Sequence, residues 1–499
     1  TMIELTIAVV MALLLVCFLI EVLASSHRYV LEHLAVLCFG MVVGLAACIL
    51  GEEEGTVHRR IYFLEFSEKV FFMCLAPPIF LEAGYSLNRH MFFNNSASIV
   101  LLGVVATYVQ VMLFATCLYF TLNYVWSCDL DVPINFHQCV RLGAIFSTSD
   151  ATALLRIFNS ILPEHLQHHL ADMSGSTTTG MLTSVAIGES LANNGVCVAL
   201  FWRMGASSKN LETLVVVPFV FVLSSVAGLS VASVCTMITK HLDINKEPQI
   251  DFLLSIGFAL LSYFLFVEVT YINELVSLYS CGFAMAHYNF KNLSTKAKVT
   301  AKAMIKSSSW ASFTFIYFQM GIVFSVSVYA ERPFWSRALP LMSLVLILML
   351  FCRAFVVALG CGTLSAFKSD TNLGWREQVI LNLSGVRGAV SYALCLLWRG
   401  KKLKSSLVTT TTLGIVIFTN LVLGSAICPM ITLLFPDYRS DASTILSYAP
   451  EKRHRKSTMG SQALASPVHQ VLTTPLIGVS RAGSVSLTGA EADAELKCI

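Results

Sequence analysis

"GAIFSTSDATALLRIF" (residues 143–158) is apolar at both ends and polar in the middle, where Ser147, Thr148, Ser149, Asp150 and Thr152 crowd together. A helix crossing a bilayer must satisfy its own backbone, and polar side chains in hydrocarbon are costly. Small hydroxyl residues around a carboxylate predict that the helix parts here, exposing half-helix ends. A second such stretch, "LNLSGVRGAVSYAL" (381–394), occupies a comparable place in the other half of the chain. Paired interrupted segments are the sequence sign of a transport site built from discontinuous helices. Because helix ends carry partial charge, Asp150 is suited to a positive half-helix end and Arg387 to a negative one. A purely structural cap or counter-ion is the alternative for each.

The rest of the chain agrees with a membrane setting. Of its 499 residues 56% are hydrophobic and 13% charged, with mean hydropathy +0.72. A soluble domain carries about 25% charged residues. About thirteen stretches between residues 3 and 435 are apolar enough to span as helices, so the fold class is an all-α polytopic membrane protein. The formal charge of +3 is spread over many loops, which excludes a nucleic-acid surface, and no GxxxxGK[ST] phosphate loop supports ATP-driven transport. Most of the 15 cysteines sit singly in apolar runs as small hydrophobes; only Cys128 and Cys139 bracket a loop that a bridge could close. The first apolar run lacks a basic leader and a small-residue cleavage site, so it reads as a retained helix.

From Asp437 the composition turns polar, with "EKRHRKS" (451–457) in a tail that cannot bury a core. That cluster is a solvated basic stretch or a setting for phosphorylation of Ser457. His165, His168 and His169 have a metal-compatible spacing in a polar loop, which reads instead as solvated or pH-sensing. Lys and Arg are shared almost evenly between alternate loops, so placing the tail in the cytosol is an assumption.

"IGESLANNGVCVALFW" (187–202) adds a polar face to another apolar run. Glu189 and Asn193 share a face, and Asn194 points about 100° away. A buried carboxylate can serve Na⁺ or K⁺ and H⁺ in competition, and burial makes that competition pH-sensitive. An amide offers a carbonyl oxygen but has no proton to exchange. Only Glu189 could do acid–base work on this helix, unless it is a salt-bridged structural carboxylate. Asn193 and Ser149 are the expected neutral oxygen ligands, and Asp150 is the carboxylate expected nearest the ion.

Seven motifs then occur in order: "FFMCLAPPIFLEAGYSLNRHMFF" (71–93), "STSDAT" (147–152), "GESLANNG" (188–195), "CGFAMAHYNFKN" (281–292), "CRAF" (352–355), "SGVRGAVSYAL" (384–394) and "TTTTLGIVIFTN" (409–420). Together they resemble the eukaryotic sodium/hydrogen exchangers, monovalent cation/proton antiporters, over about residues 60–435. "HYNFKN" is similar to the intracellular, vacuolar and endosomal members, which makes an organelle or the plasma membrane the expected location.

The resemblance implies a homodimer in the bilayer with an inverted repeat and two crossing discontinuous helices. Residues 1–95 and 206–330 would form a dimerisation domain, 96–205 and 331–436 the moving ion-transport core, and 437–499 a disordered cytosolic tail. It implies no cofactor beyond the transported Na⁺ or K⁺ and H⁺, and no enzymatic activity.

Three departures stand out. The family's "TDP" falls on Ser149, Asp150 and Ala151, without the proline. Its paired "ND" falls on Asn193 and Asn194, so the position of the ion- and proton-binding acid holds an amide. A glutamate usual in "ETFIF"-like sequence falls on Ser312 or Phe313. Glu189 and Arg387 match the pattern. The chain is therefore expected to exchange by a modified route through Asp150 or Glu189, or to be a transport-impaired, scaffolding or regulatory relative, with Asn194 natural or introduced.

Overall fold

The computed structural model describes residues 2–25, 32–53, 68–85, 89–125, 134–150, 154, 178–205, 212–241, 248–267, 269, 271–330, 334–366, 373–398 and 405–435. They fall in one compact unit, Thr1–Ala442. Cys128, the three histidines of "EHLQHHL", Ser457 and the basic tail lie outside the described residues. Cys139 is a buried free thiol.

The regular structure of the described residues is all helix, without a strand. In chain order the helices used below are α1 (Met2–Ser25), α2 (Glu32–Glu53), α3 (Ala76–Tyr85), α4 (Thr107–Phe120), α5 (Phe136–Ser147), α6 (Thr178–Gly205), α7 (Glu212–His241), α8 (Pro248–Phe264) and α9 (Glu274–Ala284). They continue as α10 (Thr295–Ala330), α11 (Phe334–Ala366), α12 (Trp375–Leu383), α13 (Ala389–Leu396), α14 (Ser405–Phe418) and α15 (Ser425–Leu434). Among the described residues six helices are long and apolar enough to cross a membrane, and four shorter apolar helices accompany them. A π-helical turn, Thr419–Gly424, joins α14 to α15.

Burial separates two kinds of span. The Ser184–Met204 part of α6 is wholly buried, whereas only 28% of the Pro218–His241 part of α7 is. Helix α7 therefore turns Phe219, Val222 and Val226 outward, away from the protein interior. A helix enclosed by protein can carry polar side chains because its neighbours supply partners. That enclosure is why "GESLANNG" is tolerated inside an apolar run.

Close helix approach positions the site from the other side. Helices α2 and α10 meet at Gly40 and Gly321, where an added methyl would overlap the facing backbone carbonyls of Phe318 and Leu37. Small residues allow this main-chain contact in the absence of a hydrophobic drive between spans. The contact brings His33 of α2 beside Tyr317 of α10, with ring centroids 5.0 Å apart.

Candidate functional site

Both interrupted stretches do unwind, and they cross. Helix α5 ends at Ser147, and Thr148 is extended with ψ 146°. In the second stretch α12 ends at Leu383, and α13 begins after Gly388. The two breaks are joined main chain to main chain: Asp150 N donates to Val386 O at 2.8 Å.

Buried backbone groups freed by unwinding need partners. The carbonyls of Ser147 and Thr148, at the negative end of α5, accept from Arg387 Nη1, at 2.9 Å for Ser147. The carbonyl of Leu381, near the end of α12, accepts from Arg353 Nη2 at 3.0 Å. The π-helical turn supplies the rest of the second break: Asn420 Nδ2 donates to Arg387 O at 2.8 Å, and Thr419 Oγ1 accepts from Arg387 N at 3.2 Å. Side chains tie the crossing too, with Thr148 Oγ1 and Ser391 Oγ 2.5 Å apart.

Asp150 lies against the start of α13. A methyl on Gly388 would overlap its Oδ2, so only glycine lets the carboxylate approach this helix N-terminus. Tyr317 Oη donates to Asp150 Oδ2 at 2.9 Å. Beyond it Leu154 N donates to Asp150 O at 3.2 Å. Asp150 opens into a small cleft, lined also by Phe80, Asn194, Phe313 and Ala389. Among the described residues lining this cleft, Asp150 alone is acidic.

Helix α6 divides its polar residues between two faces, as its 100° turn per residue requires. Ser190 and Asn194 face the first break: Ser149 Oγ donates to Ser190 Oγ at 2.9 Å, and Ser149 N donates to Asn194 Oδ1 at 3.3 Å. Glu189 and Asn193 face elsewhere. Glu189 takes a forked pair from Arg353, with oxygens 2.6 and 2.8 Å from Nη1 and Nη2. Asn193 Oδ1 accepts from Cys197 Sγ at 3.2 Å, while its Nδ2 is buried without a hydrogen-bond partner.

Of the six residues singled out by sequence, the structure brings Asp150, Ser149, Asn194 and Arg387 to the crossing. Glu189 is engaged with Arg353. Asn193, expected as an oxygen ligand, points along its own helix and does not line the cleft with Asp150. The physical reason is the one-residue step from Asn194.

Sequence reading passed over two groups. Arg353 was legible as an ionisable residue inside an apolar span, which marks a site by default. Tyr317 was not, because nothing distinguishes it from the other aromatics of "FTFIYF".

Described residues whose regular structure is all helical, with two charge-capped breaks meeting at a buried carboxylate, have the architecture of a multi-pass membrane transporter. The chain matches the family "Sodium/hydrogen exchanger, transmembrane" over residues 9–433 and belongs to it. Sodium/hydrogen exchanger 3 of Arabidopsis thaliana is 26% identical over 455 residues, covering 87% of this chain and 85% of its own. Sodium/hydrogen exchanger 8 of Homo sapiens is 27% identical over 438 residues, covering 84% and 70%. The solved structure of the sodium proton antiporter MjNhaP1 from Methanocaldococcus jannaschii has the same fold, with TM-score 0.64 at 15% identity over 87% of this chain and 98% of that one.

Proposed function

We propose that this chain exchanges Na⁺, or K⁺, for H⁺ by secondary active antiport, with Asp150 as the group that takes cation and proton alternately. The observation that carries this reading is the placement of Asp150 in the cleft, between a helix N-terminus and the crossing of two broken helices. Glu189 is committed to Arg353, and Asn194 holds no proton, so Asp150 is the carboxylate left for exchange.

As an anion Asp150 accepts a dehydrated cation, with the oxygens of Ser149 and Asn194 nearby to replace its water. As an acid it is neutral, and the cation leaves. Arg387 fixes the carbonyl end of α5 and keeps positive charge near the crossing without occupying the carboxylate's cleft.

The wider reading is a homodimer of about thirteen spans working by an elevator-like cycle, with an inverted repeat. Residues 96–205 and 331–436 move as the core, and 1–95 and 206–330 form the dimerisation domain. The protein sits in an organelle or plasma membrane, where it regulates pH and cation balance, and its tail 437–499 is cytosolic.

The test is flux in proteoliposomes. An imposed proton gradient drives uphill cation movement into vesicles with the parent chain, and Asp150→Asn abolishes it. Exchange that survives Asp150→Asn refutes the site.

One observation favours a second reading. Asn194 occupies the position of the family's acid, and its oxygen is taken by Ser149 N. If only Asn194→Asp exchanges, the chain as it stands is a transport-impaired relative with a scaffolding or regulatory role. A channel would pass cations downhill in every case.

A further inference from the structure

Three elements bring lysines to one end of the helical bundle, and the exchange scheme above uses none of them. Asn289 closes the π-helical turn Met285–Asn289 that follows α9. Its Oδ1 accepts from Thr239 Oγ1 of α7 at 2.6 Å, and its Nδ2 donates to Ser255 Oγ of α8 at 2.8 Å. In the short helical turn that follows, Phe290–Asn292, Asn292 Nδ2 donates to Thr236 O of α7 at 3.1 Å. These bonds seat Lys291 beside the last turn of α7, which carries Lys240 and His241. Lys298, at the start of α10, places its Nζ 5.3 Å from the centroid of the Phe290 ring. Helix α7, the turn and α10 thus contribute Lys240, Lys291 and Lys298 to the same end, with Lys296 and Lys302 flanking them on α10.

Little negative charge accompanies them. Between residues 285 and 330 the chain has five lysines and no Asp or Glu. Lys240, Lys291, Lys296 and Lys302 are exposed, and Lys298 is half-buried. Among the described residues none of these five has a carboxylate within ion-pair distance. The acid in the first turn of α8, Asp251, is buried rather than turned to the surface. The same helices expose apolar side chains one to two turns further into their spans: Met237 on α7, Leu253 on α8 and Met304 on α10. Tyr288 is exposed in the turn itself. An apolar band ending in lysines and an aromatic is the pattern of a membrane–water boundary.

We infer that this end of α7, α8 and α10 is a docking surface for anionic phospholipid, with Lys240, Lys291 and Lys298 contacting the headgroup phosphate. The inference stands apart from the exchange scheme, in which these residues take no part. A phospholipid answers both features at once. Its acyl chains cover Met237, Leu253 and Met304 while its phosphate stands level with the lysines. A soluble anion would answer only the charge. Each lysine near an anionic membrane surface is worth about fivefold in affinity, so three together are worth on the order of 100-fold.

The experiment follows the melting temperature of the purified full-length chain in detergent micelles doped with phosphatidylserine or, as the neutral reference, phosphatidylcholine. Phosphatidylserine should stabilise at lower mole fraction than phosphatidylcholine. Raising salt from about 0.05 M to about 0.5 M should shrink that preference, because exposed charges are then screened. The triple variant Lys240→Gln, Lys291→Gln, Lys298→Gln should lose the preference altogether. The corresponding triple arginine variant keeps the charge and should retain it, as should Lys69→Gln, which removes an exposed lysine outside the cluster. If the glutamine triple does not melt cooperatively, Lys291→Gln alone is read instead, with half-saturation expected about fivefold higher.

Equal stabilisation by the two lipids overturns the inference. So does a preference that survives in the glutamine variants, or one lost equally in Lys69→Gln. Inorganic phosphate that reproduces the shift at matched phosphate concentration overturns it as well, since the occupant would then be a soluble anion.

Discussion

The two broken spans solve the same problem with different residues. In the first, the carbonyl end of α5 is held by Arg387, whose guanidinium meets only neutral acceptors among the described residues: Ser147 O, Thr148 O and Met349 Sδ. In the second, the carbonyl end of α12 is held by Arg353, which is also forked onto Glu189. One arginine is neutralised by a carboxylate and the other by helix-end carbonyls alone. The difference assigns the burdens: the second break is a charge-balanced anchor, and the first keeps a positive group close to the crossing, opposite in sign to Asp150.

The comparison breaks first if Arg353 is not the anchor. Arg353→Ala leaves Glu189 buried without its partner and should cost about 3–5 kcal/mol, read as a large drop in melting temperature of the purified chain. Arg353→Met combined with Glu189→Leu should recover much of that stability, because the uncompensated charge is gone. Arg387→Met strands no carboxylate and should cost less, about 1–3 kcal/mol for the orphaned carbonyls. Equal losses for the two arginines would erase the distinction between anchor and site.

The next test separates the glycines of the second break. A methyl at Gly388 overlaps the Asp150 carboxylate, whereas one at Gly385 stands 3.2 Å from Asn382 O and 3.5 Å from Arg353 Nε. Gly388→Ala should therefore reduce exchange by about 100-fold, the scale of misplacing a reacting group by an ångström. Gly385→Ala should leave exchange within about threefold, since a few tenths of an ångström of relaxation suffices and the cost is about 1 kcal/mol. Flux assays on both variants decide this. Similar losses would mean that Asp150 does not need the N-terminus of α13.

How far these features were legible in the sequence follows from their physics. The breaks were legible because hydroxyls, glycines and single charges inside apolar runs have no other comfortable explanation. Asp150 and Arg387 were legible for the same reason. Which carbonyls Arg387 would cap was expected only as a helix end, and the crossing supplied Ser147 and Thr148. The partner of Glu189 lies 164 residues away on α11, a separation that no local pattern encodes. The side of α6 that faces the Asp150 cleft was also hidden, because periodicity separates Asn193 from Asn194 without saying which neighbour each face meets. Tyr317 reaches Asp150 with one hydroxyl across a helix contact made by two glycines, a placement that exists only after packing.

The smallest expected effect tests that division of α6. Leucine approximates asparagine in shape, so each Asn→Leu change chiefly removes hydrogen bonding. At Asn193 the buried Nδ2 has no hydrogen-bond partner and the oxygen meets only a thiol, so Asn193→Leu should alter stability by less than about 1 kcal/mol and leave exchange near the parent rate. At Asn194 the same change strands Ser149 N inside the first break and should cost about 1–3 kcal/mol, with slower exchange. Thermal melts and flux measured on the same two preparations settle the order. If Asn193→Leu is the more damaging, the cation meets the face shared with Glu189, and the anchor and the ion path are one structure rather than two.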